Sequence, residues 1–354
     1  MLRLNEKIRD LMPYEPLSGS YRIRLDANES FLPVSTALQS KMQQAFWDTA
    51  FQRYPDPLAT QVCKAFAAFY GVRPETVTAG NGSDELISVL LTGFLMKGDT
   101  ILTLSPDFSM YRFYSSITEV TCVELNKRPD LSIDVDALIA AAQQHNAKAI
   151  LFSNPCNPTS LGIPREEVRR LLKSVSALVV VDEAYMDFWN ESLLNEVEQY
   201  DNLILLRTCS KALGLAALRL GFAVANETLT RAIRAIKSPY NVNAVTQQVA
   251  TVVLSERELM QNAVKALVKS REELQQALIR LEQSCPGRMQ VYPSCTNFVL
   301  VKLNDSQQVY KALLERSIAV RCMGDYLRIT AGSPAENAEL IAAIKDILQQ
   351  GVQV

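Results

Sequence analysis

The stretch TCSKALGLAALRLGF (208–222) places two cations, Lys211 and Arg219, among small and apolar residues. An isolated ammonium loses several kcal/mol of hydration in a dry interior, so a buried lysine deprotonates or binds an anion. A lysine with a lowered pKa is what covalent chemistry on a carbonyl compound requires. Because arginine grips phosphate through two hydrogen bonds, Arg219 with the hydroxyls of Thr208 and Ser210 predicts an anion cradle. Taken alone, the stretch also fits an exposed loop.

A second candidate, Asp182, follows an apolar run in VVVDEAYMDF (179–188). This run predicts a buried strand, and ligands of open α/β sheets bind at the carboxyl ends of such strands. Burial disfavours an ionised acid unless a cation pairs with it, and a protonated ring nitrogen of a ligand would be such a cation. Tyr185 follows closely enough to turn its hydroxyl toward the same place. The alternative for Asp182 is a simple cap of the next element.

Two further stretches follow predicted strands. AGNGSDELISVLL (79–91) leads through Gly82 into a helix whose free N–H groups would bind a phosphate. It lacks the G-x-G-x-x-G pattern of dinucleotide sites, because Glu85 occupies the last position. SNPCNPTSLG (153–162) presents Asn154 and Asn157 rigidly, since each precedes a proline. A phosphate cup is therefore predicted at the first stretch. A pair of oriented amides is predicted at the second, where a plain turn is the alternative.

Composition narrows the class of protein. The chain has 354 residues, 48% of them hydrophobic, which predicts a large core and more than one domain. A net charge of -2 argues against nucleic acid as a partner. The first residues show no apolar signal segment, and the run 86–96 is about half of what a bilayer requires, so we expect a cytoplasmic protein. Seven cysteines without a C-x-x-C pair fit free thiols and no metal site.

The chain has one histidine, His145, in a polar segment that resembles the end of a helix. We expect this imidazole to be solvated there. A catalytic triad or a site with several histidine ligands would have to rest on it alone. Acid–base chemistry near neutral pH is therefore expected from another residue type.

The elements that must position these residues alternate between short apolar strands and amphipathic helices. Strands are predicted at 76–80, 100–104, 120–125, 149–153, 177–182, 203–208 and 221–225. Nearly continuous apolar runs are typical of strands covered by helices on both faces. The pattern predicts an α/β fold with a mainly parallel sheet of about seven strands.

The pattern changes after Tyr240. A helical stretch from 245 to 281, broken near Ser255, precedes strands around MQVYP, NFVLVKL, AVRCM and YLRIT and a closing helix from Pro334. This segregation predicts a smaller α+β domain. We divide the chain into an arm (1–30), a large domain (31–242) and a small C-terminal domain (243–354).

Together these segments resemble the fold-type-I, class I/II aminotransferases that use pyridoxal 5′-phosphate (PLP), and more narrowly the histidinol-phosphate aminotransferases among them. The resemblance spans nearly the whole chain and rests on LDANES, RYPDP, GNGSDE, PDFSMY, NPCNPTS, DEAY, TCSKALGLAALRLGF and AVRCMGDYLRITAG, in that order. It implies a large PLP-binding domain, a smaller α+β domain and a homodimer with shared active sites. The implied reaction converts L-histidinol phosphate and 2-oxoglutarate to imidazole-acetol phosphate and L-glutamate in histidine synthesis.

The resemblance also implies roles for individual residues. Lys211 would bond covalently to the cofactor and move the substrate proton, with Asp182 on the ring nitrogen and Phe108 stacked on the ring. Asn157 and Tyr185 would bind the phenolic oxygen of the ring. The phosphate would be held by the side chains and N–H groups of Ser83, Asp84, Thr208, Ser210 and Arg219 and by Tyr54 of the neighbouring subunit. The substrate would be bound by Tyr14, Asn28, Arg321 and Arg328, of which Arg328 would take the carboxylate of glutamate.

Two positions depart from the family pattern. Ser160 stands where glycine usually follows NPT, and a serine at positive φ would be strained by about 1 kcal/mol. Phe108 stands where tyrosine is frequent, which keeps the stacking face and removes a hydroxyl.

Alternative functions remain open at this point. Threonine-phosphate decarboxylase of cobalamin synthesis and aromatic aminotransferases share the cofactor motifs. A regulatory or binding protein on the same scaffold would have no need of Lys211, and a dinucleotide-dependent dehydrogenase is disfavoured by the missing glycine pattern.

Overall fold

The chain folds around two β-sheets in the computed structural model, which describes residues 3–9, 11–13, 15 and 17–350. The strands are β1 (Ile23–Leu25), β2 (Val77–Gly80), β3 (Thr100–Ser105), β4 (Thr121–Asn126), β5 (Ala149–Ser153), β6 (Leu178–Asp182), β7 (Leu203–Thr208), β8 (Gly221–Ala225), β9 (Met289–Val291), β10 (Phe298–Leu303), β11 (Ile318–Met323) and β12 (Tyr326–Thr330).

The helices lie between and after these strands. They are α1 (Glu6–Arg9), α2 (Thr36–Trp47), α3 (Thr60–Tyr70), α4 (Gly82–Phe94), α5 (Met110–Thr118), α6 (Val135–Gln144), α7 (Arg165–Ser174), α8 (Glu227–Ile236), α9 (Ala244–Ser255), α10 (Arg257–Ser284), α11 (Ser306–Glu315) and α12 (Pro334–Gln350). The predicted break near Ser255 is confirmed, since α9 ends there. His145 follows α6 and is exposed, as expected.

The larger sheet has seven strands within the described chain, in the order β2-β8-β7-β6-β5-β3-β4. The pairs among β3 to β7 are parallel, whereas β8 runs antiparallel to both of its neighbours. The prediction of a mainly parallel sheet is confirmed. Its strands alternate between two buried layers: Val179 and Val181 of β6 belong to one, and Val180 belongs to the other. Helices therefore cover both faces, which explains the continuous apolar runs.

The smaller sheet has the order β1-β11-β12-β10-β9 and packs on α10, α11 and α12. Its first strand comes from the segment that we assigned to the arm. Ile23 and Leu25 pair with Ile318 and Val320 of β11 and are each 2% exposed. The end of the arm is thus part of the small sheet and of its core.

Topology brings the candidate residues to one edge of the large sheet. The parallel strands β3, β5, β6 and β7 end there, β2 ends opposite the start of β8, and Thr208 pairs with Gly221. The loops that follow these strands carry the segments singled out in the sequence. Parallel strands collect such loops on one side of a sheet, and ligands of α/β proteins bind on that side.

Candidate active site

A cavity of about 670 Å³ opens at this edge, between the large and the small sheet. Its lining includes nearly every candidate, namely Asn28, Ser83, Asp84, Phe108, Asn157, Asp182, Tyr185, Thr208, Ser210, Lys211, Arg219, Arg321 and Arg328. Tyr54 lies elsewhere, since it is 83% exposed and outside this lining. Tyr14 falls outside the described residues.

Asp182 closes β6 and is 3% exposed. Burial raises its pKa to about 7, although the Tyr111 hydroxyl (3.0 Å to Oδ2) and the Ala184 N–H (3.1 Å to Oδ1) favour the ionised form. A cationic ligand nitrogen would lower that pKa again, because an opposite charge favours the carboxylate. The buried acid therefore fits a protonated heterocycle.

Lys211 lies in the loop after β7 and faces the cavity. Its Nζ donates to the carbonyl oxygen of Ala27 at 3.0 Å and lies 6.0 Å from the ring centroid of Tyr185. The side chain is partly buried and borders open space. An amine that borders a cavity can reach a carbonyl group bound in it.

The predicted anion cradle forms around Ser210. Thr208 Oγ1 donates to Ser210 Oγ at 3.0 Å, and Arg219 Nη1 lies 3.3 Å from the same oxygen. Arg219 is less buried than expected, because its side chain is 53% exposed and Nη2 lies 3.5 Å from Asp84 Oδ2. Burial raises the pKa of Asp84, and Arg219 opposes that shift. Two hydroxyls and a guanidinium thus converge as phosphate binding requires.

Backbone geometry brings the start of α4 to this cradle. Gly82 has φ +78°, and a Cβ there would lie 3.0 Å from Arg219 Nη2. A Cβ on Gly221 would lie 2.6 Å from the backbone nitrogen of Ser83, so β8 passes directly beside the helix start. Arg219 itself has φ +49°, a strained conformation for a side chain of its size. The start of α4 therefore lies beside the same anion site, and free N–H groups at a helix start can bind a phosphate.

The loop after β5 separates the two predicted amides. Asn157 lines the cavity, and its Oδ1 accepts from Arg328 Nη1 at 2.7 Å. Asn154 is instead 1% exposed and stabilises the loop. Its Nδ2 donates to the backbone carbonyl oxygen of Ile163, and its Oδ1 accepts from the Ile163 N–H. Of the two amides, Asn157 therefore faces the cavity, and Asn154 does not.

Ser160 has φ +61°, so the turn does require the conformation that glycine adopts freely. Its Oγ donates to the carbonyl oxygen of Pro293 at 2.8 Å, and its own carbonyl accepts from the Cys295 N–H at 2.8 Å. The strain of the serine is thus offset by bonds to the loop between β9 and β10.

The small sheet supplies two cations. Arg321 of β11 and Arg328 of β12 are paired in register and both line the cavity. Arg328 Nη2 donates to the carbonyl oxygen of Asp26 at 2.5 Å, and the guanidinium lies 5.5 Å from the ring centroid of Phe298. Two guanidinium groups at one side of the cavity suit an anionic substrate.

Sequence reasoning missed two residues that orient others. Tyr111 is fully buried and holds Asp182, and its sequence context matched ordinary core. Thr330 is 3% exposed and bonds to Asn28, which in turn donates to Tyr185 Oη at 2.8 Å. The sequence signal for Thr330 was its place two residues beyond Arg328, on the same face of a strand.

The chain is similar to known proteins over nearly its whole length. The family model described as aminotransferase class I and II matches residues 21–344. A Clostridium novyi (strain NT) protein named histidinol-phosphate aminotransferase is 38% identical over 345 residues, which are 96% of this chain and 95% of that protein. A relative of the same name from Thermococcus gammatolerans is 36% identical and covers 97% of each chain.

Among solved structures, histidinol-phosphate aminotransferase from Sinorhizobium meliloti in complex with pyridoxal 5′-phosphate superimposes with a TM-score of 0.87, at 23% identity over 98% of each chain. The described helices include none that is long and apolar enough to cross a membrane. Within the same residues, no group of three or more potential metal-binding side chains occurs.

Proposed function

The chain belongs to the class I and II aminotransferases, and from that premise we propose that it is a PLP-dependent enzyme of histidine synthesis. It transfers the amino group of L-histidinol phosphate to 2-oxoglutarate and yields imidazole-acetol phosphate and L-glutamate. The proposal rests on one observation: Lys211, Asp182 and the anion cradle at Arg219 all line the same cavity. Relatives named for this activity over nearly their full length support the choice of amino substrate.

The chain's residues fit PLP at each chemically distinct part. The hydroxyls of Thr208 and Ser210, Arg219 and the N–H groups of Ser83 and Asp84 would hold the phosphate. Phe108, which lines the cavity and packs edge-on against Tyr111, would cover one face of the ring. The chemistry that bound PLP supplies is an electron-withdrawing ring that stabilises negative charge developing at the substrate Cα.

The protein's own groups would then carry out the proton transfers. Asp182 would keep a proton on the ring nitrogen, since its burial favours either a neutral acid or a close cation. Lys211 Nζ would accept the proton from the substrate Cα, because it is the amine that borders the cavity. Asn157 and Tyr185 would donate to the phenolic oxygen and so fix the orientation of the ring. No histidine is required for these roles.

The substrate would be bound from the small sheet. Arg328 would take the carboxylate of glutamate or 2-oxoglutarate, and Arg321 and Asn28 would lie near the phosphate or amine of the amino substrate. Tyr14, which we also expect at that end, lies outside the described residues. A guanidinium binds carboxylate and phosphate through the same paired donors, which suits a site for two anionic substrates in turn.

The experiment that tests this function is a product assay. With histidinol phosphate and 2-oxoglutarate, the purified protein loaded with PLP should form glutamate in equal amount to the keto product. With threonine phosphate it should release no more carbon dioxide than a Lys211→Ala control. Decarboxylation of threonine phosphate, together with no glutamate from histidinol phosphate, would contradict the proposal and point to the decarboxylase.

We also propose a homodimer in which each subunit completes the other's site. Tyr54 is 83% exposed and stacks on Tyr240 at 4.9 Å, and Trp47 and Phe51, which both contact Phe46 edge-on, are 75% and 64% exposed. Exposed aromatic clusters of this kind are typical of protein interfaces. Tyr54 would reach the phosphate bound by the partner subunit.

The domain division and the cellular location are also proposals. The separate sheets support a large domain (31–242) and a small domain (243–354), with β1 of the arm (1–30) joining the small sheet. A cytoplasmic location would fit the free cysteines of the described chain.

A further inference from the structure

One strand, β12, reaches both side chains assigned to the phenolic oxygen of the cofactor. Arg328 donates directly to Asn157 at 2.7 Å. Thr330, two residues later, reaches Tyr185 through Asn28. Residues two apart on a strand share a face, so both contacts arise from one side of β12. In the second contact, each hydrogen bond has a defined donor and acceptor, and the proposed function does not depend on which atom donates.

The direction follows from counting hydrogens. The backbone N–H of Asn28 can only donate, and it donates to Thr330 Oγ1 at 3.0 Å. The one hydroxyl hydrogen of Thr330 is then directed at Asn28 Oδ1, 3.1 Å away. The amide of Asn28 is thereby oriented with Nδ2 toward Tyr185 Oη, at 2.8 Å. Tyr185 accepts in this bond, so its own hydrogen remains available to an acceptor in the cavity.

The surroundings leave little room for the opposite arrangement. Asn28, Thr330 and Tyr185 are 1%, 3% and 5% exposed, and the backbone carbonyl oxygen of Asn28 accepts from Asn297 Nδ2 at 3.1 Å. With the amide reversed, Thr330 would accept twice and its hydrogen would lose the acceptor described above. A buried hydroxyl hydrogen without an acceptor is unfavourable, because its lost hydration is not replaced. Tyr185 would then donate to Asn28 instead of to a ligand.

We infer that Thr330 is a positioning residue that, through the amide of Asn28, aims the hydroxyl hydrogen of Tyr185 into the cofactor cavity. The inference rests on the proposed function, in which Tyr185 donates to the phenolic oxygen of PLP. Without this donor, the phenolic oxygen would attract a nearby proton of the bound cofactor more strongly. Through Asn28 and Tyr185, the buried hydroxyl of Thr330 therefore influences the pH at which the bound cofactor changes its protonation state.

The test is a pH titration of the visible absorption band of the PLP-loaded protein. Tyr185→Phe removes the donor itself and should move the midpoint to higher pH by about 1 unit, the scale of one hydrogen bond to a charged group. Thr330→Val should move it in the same direction by a measurable part of that shift, because Asn28 can then turn. Thr330→Ser keeps the hydroxyl and should titrate like the wild type.

Two controls separate orientation from loss of packing. Thr78→Val removes a buried hydroxyl that has no hydrogen-bond partner in the described chain, and it should leave the midpoint unchanged. In a Tyr185→Phe background, Thr330→Val should add no further shift, since its effect acts through the missing hydroxyl. Thr330→Ala serves as a second variant if the Thr330→Val protein does not fold.

The outcomes distinguish the inference from the function on which it rests. A wild-type midpoint in Thr330→Val, beside a shifted Tyr185→Phe, would overturn the inference and leave the proposed function intact. An unshifted Tyr185→Phe, or a further shift in the double variant, would also overturn it. A wild-type protein without a visible band in excess PLP would contradict the proposed function instead.

Discussion

Arg328 of the small sheet donates to Asn157 in the loop that follows β5 of the large sheet, with 2.7 Å between Nη1 and Oδ1. The same guanidinium donates to the Asp26 carbonyl and lies over Phe298, so three separate segments fix its plane. A planar group held in this way is preorganised for a carboxylate, which binds two parallel N–H donors. The pair thus links the proposed carboxylate site to a side chain expected at the cofactor.

Replacing this guanidinium should damage the glutamate half-reaction. Arg328→Lys keeps the charge but loses the planar pair of donors. We expect kcat/KM for glutamate to fall about 100-fold, equivalent to about 2.7 kcal/mol, by stopped-flow measurement of the cofactor spectrum. Arg321→Lys, at the paired position of β11, should cost less. A change within about threefold in Arg328→Lys would contradict the assigned role.

The raised pKa of Asp182 predicts a pH-dependent stability of the cofactor-free protein. Its ordinary pKa of 3.8 rises to about 7 on folding, so the folded state binds this proton more tightly than the unfolded state. Stability from this group is present below pH 3.8 and is lost as pH rises toward 7. In thermal unfolding measurements, the cofactor-free Asp182→Asn protein should therefore lose less stability between pH 5 and 8 than the cofactor-free wild type.

The same variant should bind the cofactor less well. We expect PLP affinity to fall about 100-fold, because an amide does not supply the charge that holds a protonated ring nitrogen. Asp201→Asn, an exposed acid outside the cavity, is the control and should change neither property. Equal pH profiles for Asp182→Asn and the wild type would show that burial of this acid is not the cause.

Gly82 allows a test of the anion cradle with a matched backbone control. Gly82→Ala would strain φ +78° and place a Cβ 3.0 Å from Arg219, whereas Gly98→Ala would strain φ +87° in open space. Both should lose roughly 1 kcal/mol of stability. Only Gly82→Ala should weaken PLP binding, by about 10-fold or more in an equilibrium titration. Equal PLP affinity in the two variants would argue against phosphate binding at the start of α4.

Shared active sites can be tested by mixing inactive chains. Lys211→Ala and Tyr54→Phe subunits, unfolded together and refolded, should regain activity, because one site of each mixed dimer combines an intact lysine with an intact tyrosine. Random pairing predicts about a quarter of the wild-type activity. Tyr240→Phe mixed with Lys211→Ala serves as a control for the stacked partner of Tyr54. No gain over the separate Lys211→Ala and Tyr54→Phe chains would contradict the shared arrangement.

Much of the fold was predictable because the apolar runs have the length and continuity of buried parallel strands. The predicted strand 203–208 coincides with β7, and the predicted run 149–153 coincides with β5. Because β5, β6 and β7 are parallel, their carboxyl ends lie at one edge, which places Asp182 of β6 and Lys211 after β7 at the same cavity. Local pattern and sheet topology are sufficient for that inference.

What the sequence did not predict depends on contacts distant along the chain. The pairing of Ile23 with Ile318 and the bond between Asn28 and Thr330 join residues about 300 positions apart. The exposure of Arg219 and the inward turn of Asn154 are set by backbone conformation that residue type does not dictate. Such pairings follow from the packing of the two sheets rather than from local propensity.

The most direct test of the central claim is the visible spectrum of the PLP-loaded protein during titration. Histidinol phosphate should remove the visible band of the lysine-bound cofactor, and 2-oxoglutarate should restore it. Lys211→Ala should show no such band, because the covalent partner is missing. A wild-type band that persists in saturating histidinol phosphate would contradict the proposed substrate. The absence of any band in the wild type would contradict the assignment of Lys211 itself.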